Sequence, residues 1–307
     1  MLITEEKIIK FRSEQDSAWK DILDCYFREF VDYCLPQLSE LIDWDKPWVS
    51  LDKEFQALTK DTETGKRLLD KLFKVFLKNG QEKWVLVHIE VQGQKEKDFP
   101  ERMFLYESRI YDKYRQGIVG CAVLTDSNPA WRPSSYEISV VPGSSLKAEF
   151  IVIKLIDYQA REAELEKSTN PFADIIYVQL AAIDLHGKPD EQRKRVKFSL
   201  TKRLYEKGYT KERVMNLYKF IDWLIGLPKP LEIEYMQDVH ALEEATKMAY
   251  ITSAERIGIE KGIHEGIQKA GIILSKLEQG IDIKIISQET GLSLEEIELL
   301  KKFLKPH

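Results

Sequence analysis

Apolar positions alternate along residues 83–92 (KWVLVHIEVQ), the signature of an extended strand. Val85, Val87, Ile89 and Val91 fall on one face, and Leu86, His88, Glu90 and Gln92 on the other. A second apolar-rich run, 66–78 (KRLLDKLFKVFLK), precedes it, and Asn79-Gly80 between the two is a strong hairpin signal. In the first strand Asp70 shares a face with Leu72, Lys74 and Phe76. A three-residue loop, Asn79 to Gln81, would set Asp70 directly opposite Glu90, with β-carbons about 5 Å apart.

The helical period dominates elsewhere. Residues 14–42 read as an amphipathic helix interrupted at Pro36, its buried stripe marked by Trp19, Ile22, Leu23, Tyr26, Phe27, Phe30 and Val31. A strand is expected at 49–58 and, after the hairpin, a helix from about Pro100 to Tyr114. The apolar run 120–126 (GCAVLTD) has the character of a buried strand, and two further strands are expected at 136–141 and 147–155. From about residue 160 the pattern turns helical, with candidates at 159–167, 171–185, 189–207, 210–225, 239–278 and 282–304. The expected architecture is α/β: a mixed sheet flanked by helices in residues 1–158, a helical extension over 159–230, and a C-terminal helical region over 231–307.

Composition narrows the class. The 307 residues, 43% hydrophobic and 32% charged, support a substantial core under a charged surface. No stretch approaches eighteen uninterrupted apolar residues, and MLITEEKIIKF lacks a signal-peptide core. Cys25, Cys34 and Cys121 have no metal-ligand spacing and read as reduced thiols, so a cytoplasmic protein without a zinc site is expected. A net charge of −5 means that any nucleic-acid surface must be a local basic patch.

Two facing carboxylates repel, so Asp70 and Glu90 ask for a cation between them, and a divalent ion held by oxygens is the natural candidate. The same pattern also fits a solvated hairpin face with Lys71 and Lys74 nearby, and a loop one residue longer or shorter would put the acids on opposite faces. Glu54 or Asp52 could supply a third acid. His88 shares the face of Glu90 and is a candidate accessory group, as general base or as a structural histidine. Arg102 and Arg109 lie on one side of the helix at 100–114, where Arg102 could meet a phosphate, the carboxylates, or neighbouring acids. The densest basic run, RKRVKFSLTKR (193–203), offers Arg193, Arg195 and Lys197 as phosphate contacts. Small residues at 258, 262, 266 and 270, with isoleucines beside them, predict close packing of the helix at 255–274 on a partner helix, most simply in a dimer, the alternative being a marginal, partly frayed helix or a flexible tether. Residues 283–304 resemble a helix-turn-helix, but its second helix opens with Glu295, Glu296 and Glu298, the wrong charge for a major groove, so a packing hairpin is expected.

Several blocks, taken together and in order, resemble the Rpn branch of the PD-(D/E)XK nuclease superfamily, the recombination-promoting, transposase-like nucleases. They are GKRLLDKLFKV (65–75), WVLVHIEVQGQ (84–94), FPERMFLYESRIYDKY (99–114), VLTDSNPAWRP (123–133), IKLIDY (153–158), NPFA (170–173) and FIDWLIGLP (220–228). The resemblance implies a restriction-endonuclease-like core and an Mg²⁺-dependent DNA endonuclease, with Mn²⁺ as a possible substitute. Asp70 and Glu90 would be metal ligands, and Gln92 stands where the superfamily usually has lysine. A neutral amide there orients water or a phosphate oxygen but brings no charge. The alternative is a nuclease scaffold with weak or lost cleavage, acting as a DNA-binding or assembly protein.

Overall fold

The computed structural model describes residues 18–54, 69–78, 84–252, 272–277, 281–290, 292–293 and 297–298, with the backbone alone at residues 69, 70, 84, 85 and 90. The chain forms two compact units, Met1–Asp238 and Val239–His307. Among the described residues no helix is long and apolar enough to cross a membrane.

The first unit is built on a mixed sheet. Three short helices open it: α1 (18–25), α2 (Phe27–Cys34) and α3 (Pro36–Leu41). The single amphipathic run expected at 14–42 is thus broken at Tyr26 and again at Leu35, where Pro36 opens α3. Strands β1 (Val49–Ser50), β2 (Leu69–Phe76), β3 (Trp84–Gln92) and β4 (Gly117–Leu124) follow, with helix α4 (Phe99–Tyr114) between β3 and β4. β5 (Ser135–Val141) and β6 (Ser144–Glu149) make a separate two-stranded ribbon, and β7 (Ile151–Lys154) returns to the main sheet. The sheet order is β1-β2-β3-β4-β7; β1–β2 and β2–β3 are antiparallel, β3–β4 and β4–β7 parallel. The one strand expected at 147–155 is therefore two, parted at Phe150, which is buried between them in chain order. Of the strand expected at 49–58, Val49–Ser50 forms β1 and residues 52–54 turn helical, while 55–58 lie outside the described residues.

Alternation along the strands sorts the side chains onto two faces. On one, Leu72, Leu86, Ala122 and Leu124 pack against Phe99, Met103, Tyr106 and Ile110 of α4, in two apolar clusters. On the other, Phe73 stacks on Phe27 of α2, with ring centroids 4.0 Å apart. Behind α2, Phe30 meets Phe172 of a helix from the second half of this unit, edge to face. Helices thus cover both faces of the sheet.

That second half is helical: a 3₁₀ segment Leu155–Arg161, then α5 (Glu162–Lys167), α6 (Pro171–Asp184), α7 (Asp190–Glu206), α8 (Lys211–Leu224) and the start of α9 (Lys229–Thr246), which runs past the unit boundary at Asp238. Asn170 and Thr210 cap α6 and α8 through their side chains. Sequence pattern places a helix start near 239, whereas α9 begins at Lys229, because Pro230 is tolerated in a first helical turn. The expected run to 278 instead breaks after Thr246. Lys247 takes a left-handed backbone (φ 56°), and the Glu243 carboxylate accepts from the amides of Tyr250 and Ile251 at 2.7 and 2.6 Å.

In the second unit Ile273, Ile286 and Ile297 form a small buried cluster, which includes α10 (Ile283–Thr290). Most of the glycine-spaced segment at 255–274 and part of the 291–296 turn lie outside the described residues.

Candidate functional site

The hairpin register decides the geometry. Asp70 pairs with Glu90 across β2–β3, Leu72 with His88, and Phe76 with Trp84. This is the register that a three-residue loop at 79–81 requires, although residues 79–83 lie outside the described set. Asp70 and Glu90 therefore stand as direct cross-strand partners on the face covered by α4. Gln92 follows on that face, paired with Leu124 of β4, and His88 precedes, paired with Gly120.

Gln92 is buried and held at both ends of its amide. Its Oε1 accepts from Arg102 Nη2 at 2.9 Å, and its Nε2 donates to the Gln94 carbonyl at 2.8 Å. Arg102 belongs to the buried stripe of α4 with Phe99, Met103, Tyr106 and Ile110. Its Nη1 donates to Glu96 at 2.9 Å, and Gln94 also donates to Glu96 at 3.0 Å. A short turn, 93–98, thus folds back and ties the end of β3 to the first turn of α4. Arg102, a candidate phosphate contact by sequence, is placed against Gln92 and Glu96, with its guanidinium 5.3 Å from the Phe99 ring centroid.

His88 is fully buried. Its Nδ1 lies 4.0 Å from Glu107 Oε1, and its ring meets Tyr106 edge to face. Gly120 makes this possible, because a β-carbon there would fall 1.8 Å from that carboxylate oxygen. The missing side chain on β4 is the slot into which Glu107 lays its carboxylate.

The remaining candidates are placed elsewhere. Glu54 is exposed in the helical turn after β1. Asp52 binds Lys71, and Lys71 Nζ also lies 2.5 Å from Asp24; Lys71 alternates with Asp70, so this cluster serves the opposite sheet face. Lys197 corrects the reading of the basic run. It is fully buried, donates to Asp222 at 2.7 Å and to Glu232 at 3.0 Å, and lies 4.6 Å from the Tyr235 ring centroid. Arg193 donates to the Gly226 carbonyl at 2.6 Å and Lys194 to Glu234 at 2.7 Å, while Arg195 is exposed. Most of the run fastens α7 to its neighbours.

Sequence reasoning did not single out Glu96, Glu107, or the buried Lys154–Asp126 pair, in which Lys154 also lies over the Trp131 ring at 5.6 Å. Lys154 occupies the same sheet row as Gln92, two strands away through Leu124. The isolated glycine in the strand pattern of β4 was the one available signal for Glu107. Glu96 sits in a polar turn with no motif.

Among the described residues no cluster of three or more His, Cys, Asp or Glu side chains is arranged to hold a metal. No family model, curated protein or solved structure matches the chain.

Proposed function

We propose that this chain is a metal-dependent DNA endonuclease with a restriction-endonuclease-like core, of the recombination-promoting Rpn type. The observation that carries the reading is the register placing Asp70 opposite Glu90, with Gln92 next on the same face under the first turns of α4. Two opposed carboxylate residues offer hard oxygen donors and repel each other without a cation. Mg²⁺ is commonly held by only one or two carboxylates plus water and substrate phosphate, so this donor set fits it, and Mn²⁺ as a substitute. Asp70 and Glu90 would hold the ion. When bound, it supplies an acidified water and positive charge at the phosphate.

The chain's own groups do the rest. Gln92 is fixed by its two hydrogen bonds and so presents a single orientation of its remaining amide hydrogen. His88, two residues before Glu90 on the same strand face, is fully buried beside the Glu107 carboxylate. DNA is held weakly and without strong base readout, with Arg195 as an exposed backbone contact.

A second reading, a nuclease-like scaffold that binds DNA or assembles without cleaving it, is favoured by one observation. The most basic helix spends Arg193, Lys194 and Lys197 on internal partners. Calorimetric titration of Mn²⁺ into wild type, Asp70→Ala and Glu90→Ala tests the metal assignment without relying on turnover. Binding in the wild type that both variants lose supports it; equal binding in all three excludes it.

A further inference from the structure

We propose that Arg102 supplies the positive charge missing at Gln92, so that a strand amide and a helix guanidinium together form the third element of the site. The proposal rests on the nuclease reading above. Gln92 itself is neutral, and both ends of its amide are already engaged. What the amide does is hold a cation: its oxygen takes one arm of the guanidinium, and Glu96 takes the other. A guanidinium gripped at two nitrogens has a fixed plane and carries a delocalised charge.

The placement is close to the strand positions of Asp70 and Glu90. Glu90 and Gln92 are alternate residues of β3, about 7 Å apart along the strand and on one face. Along α4, Arg102 meets Gln92 and Tyr106 meets His88, so the helix turn between them spans the position of Glu90. A buried cation is costly unless paired. Glu96 provides that partner from a turn that belongs to the same β3–α4 connection, so the charge is built in rather than incidental.

In the hydrolysis, a water oxygen forms the new bond to phosphorus and the bond from phosphorus to the leaving deoxyribose oxygen breaks. One water proton passes to solvent, and the leaving oxygen gains a proton from solvent. Negative charge on the phosphoryl oxygens grows before that bond breaks, and a fixed guanidinium stabilises it while keeping its own protons throughout.

The test relocates the charge from helix to strand. Wild type, Arg102→Lys, Arg102→Gln, the double variant Gln92→Lys with Arg102→Gln, and Asp70→Ala are compared for single-turnover nicking of plasmid DNA in Mg²⁺. Affinity for a fluorescent duplex is measured in Ca²⁺, and melting temperature is followed for each. Arg102→Gln is expected to slow cleavage about 100-fold while duplex affinity falls less than about threefold. Arg102→Lys keeps part of the rate, and lysine at position 92 restores at least about a tenth of it in the Arg102→Gln background.

Cleavage by Arg102→Gln at the wild-type rate, with Asp70→Ala inactive, overturns the role of Arg102 and leaves the nuclease reading standing. Loss in Arg102→Gln that neither lysine variant relieves, at unchanged melting temperature, also overturns it. Wild type and Asp70→Ala behaving alike refutes the nuclease reading itself, and the proposal with it.

Discussion

Gly120 is the smallest residue with the largest local consequence. A methyl group there would meet the Glu107 carboxylate and come within 3.2 Å of Phe150. Gly120→Ala should therefore destabilise the first unit by about 1–3 kcal/mol, read by chemical denaturation, even though alanine normally outperforms glycine in a strand interior. At Asp157 the hydrogen bond from Arg132 holds the carboxyl below its ordinary value. A depressed carboxylate adds stability above its unfolded pKa and loses it as pH falls through the folded one. Asp157→Asn should thus lower the melting temperature slightly at pH 7, by an amount that shrinks as pH falls below the ordinary carboxyl value of 3.8 and is lost below the depressed folded one. The facing of Asp70 and Glu90 was legible because strand alternation and one turn signal specify a register. The grip of Arg102 on Gln92 was not, since it depends on how α4 crosses the sheet, which no local period encodes.

At the level of elements, α7 shows why a charge run misleads. Its sequence reads as a basic face, but helical spacing aims Lys194 and Lys197 at acids of α8 and α9. Composition records how many lysines there are and says nothing of their partners. Lys197→Ala should cost about 2–4 kcal/mol, toward the low end because its acidic partners are partly exposed, with little effect on DNA affinity. Arg195→Ala should change stability by less than about 0.5 kcal/mol and weaken DNA binding instead. Comparing urea melts with duplex anisotropy for the two variants separates the roles. The split of 147–155 into β6 and β7 was equally hidden, because a continuous β pattern does not say when the chain changes sheets. The proline-marked starts of α4 and α6 were readable, since proline is tolerated only where the backbone amide has no helical partner.

For the whole molecule, charge and thiols give two readable properties. The chain carries a net charge of −5, and much of its densest basic run is internally paired. DNA affinity should therefore be modest, with a shallow salt dependence: a slope of about −2 to −3 in log K against log salt, given roughly −0.9 per neutralised phosphate. A slope of about −6 or steeper would reveal a basic surface that these residues do not explain. Burial pushes the Cys34 thiol up to about 12, and Cys121 is raised as well in the core. At pH 8 an alkylating reagent should modify exposed Cys25 first and reach the other two only on unfolding, with mass spectrometry reporting the order. The central claim, that Asp70 and Glu90 form one metal-holding pair, is tested most directly by nicking of supercoiled plasmid in Mg²⁺ by wild type, Asp70→Ala and Glu90→Ala. The account predicts nicking by wild type that EDTA abolishes and both substitutions reduce by at least about 100-fold; equal nicking by all three proteins would contradict it.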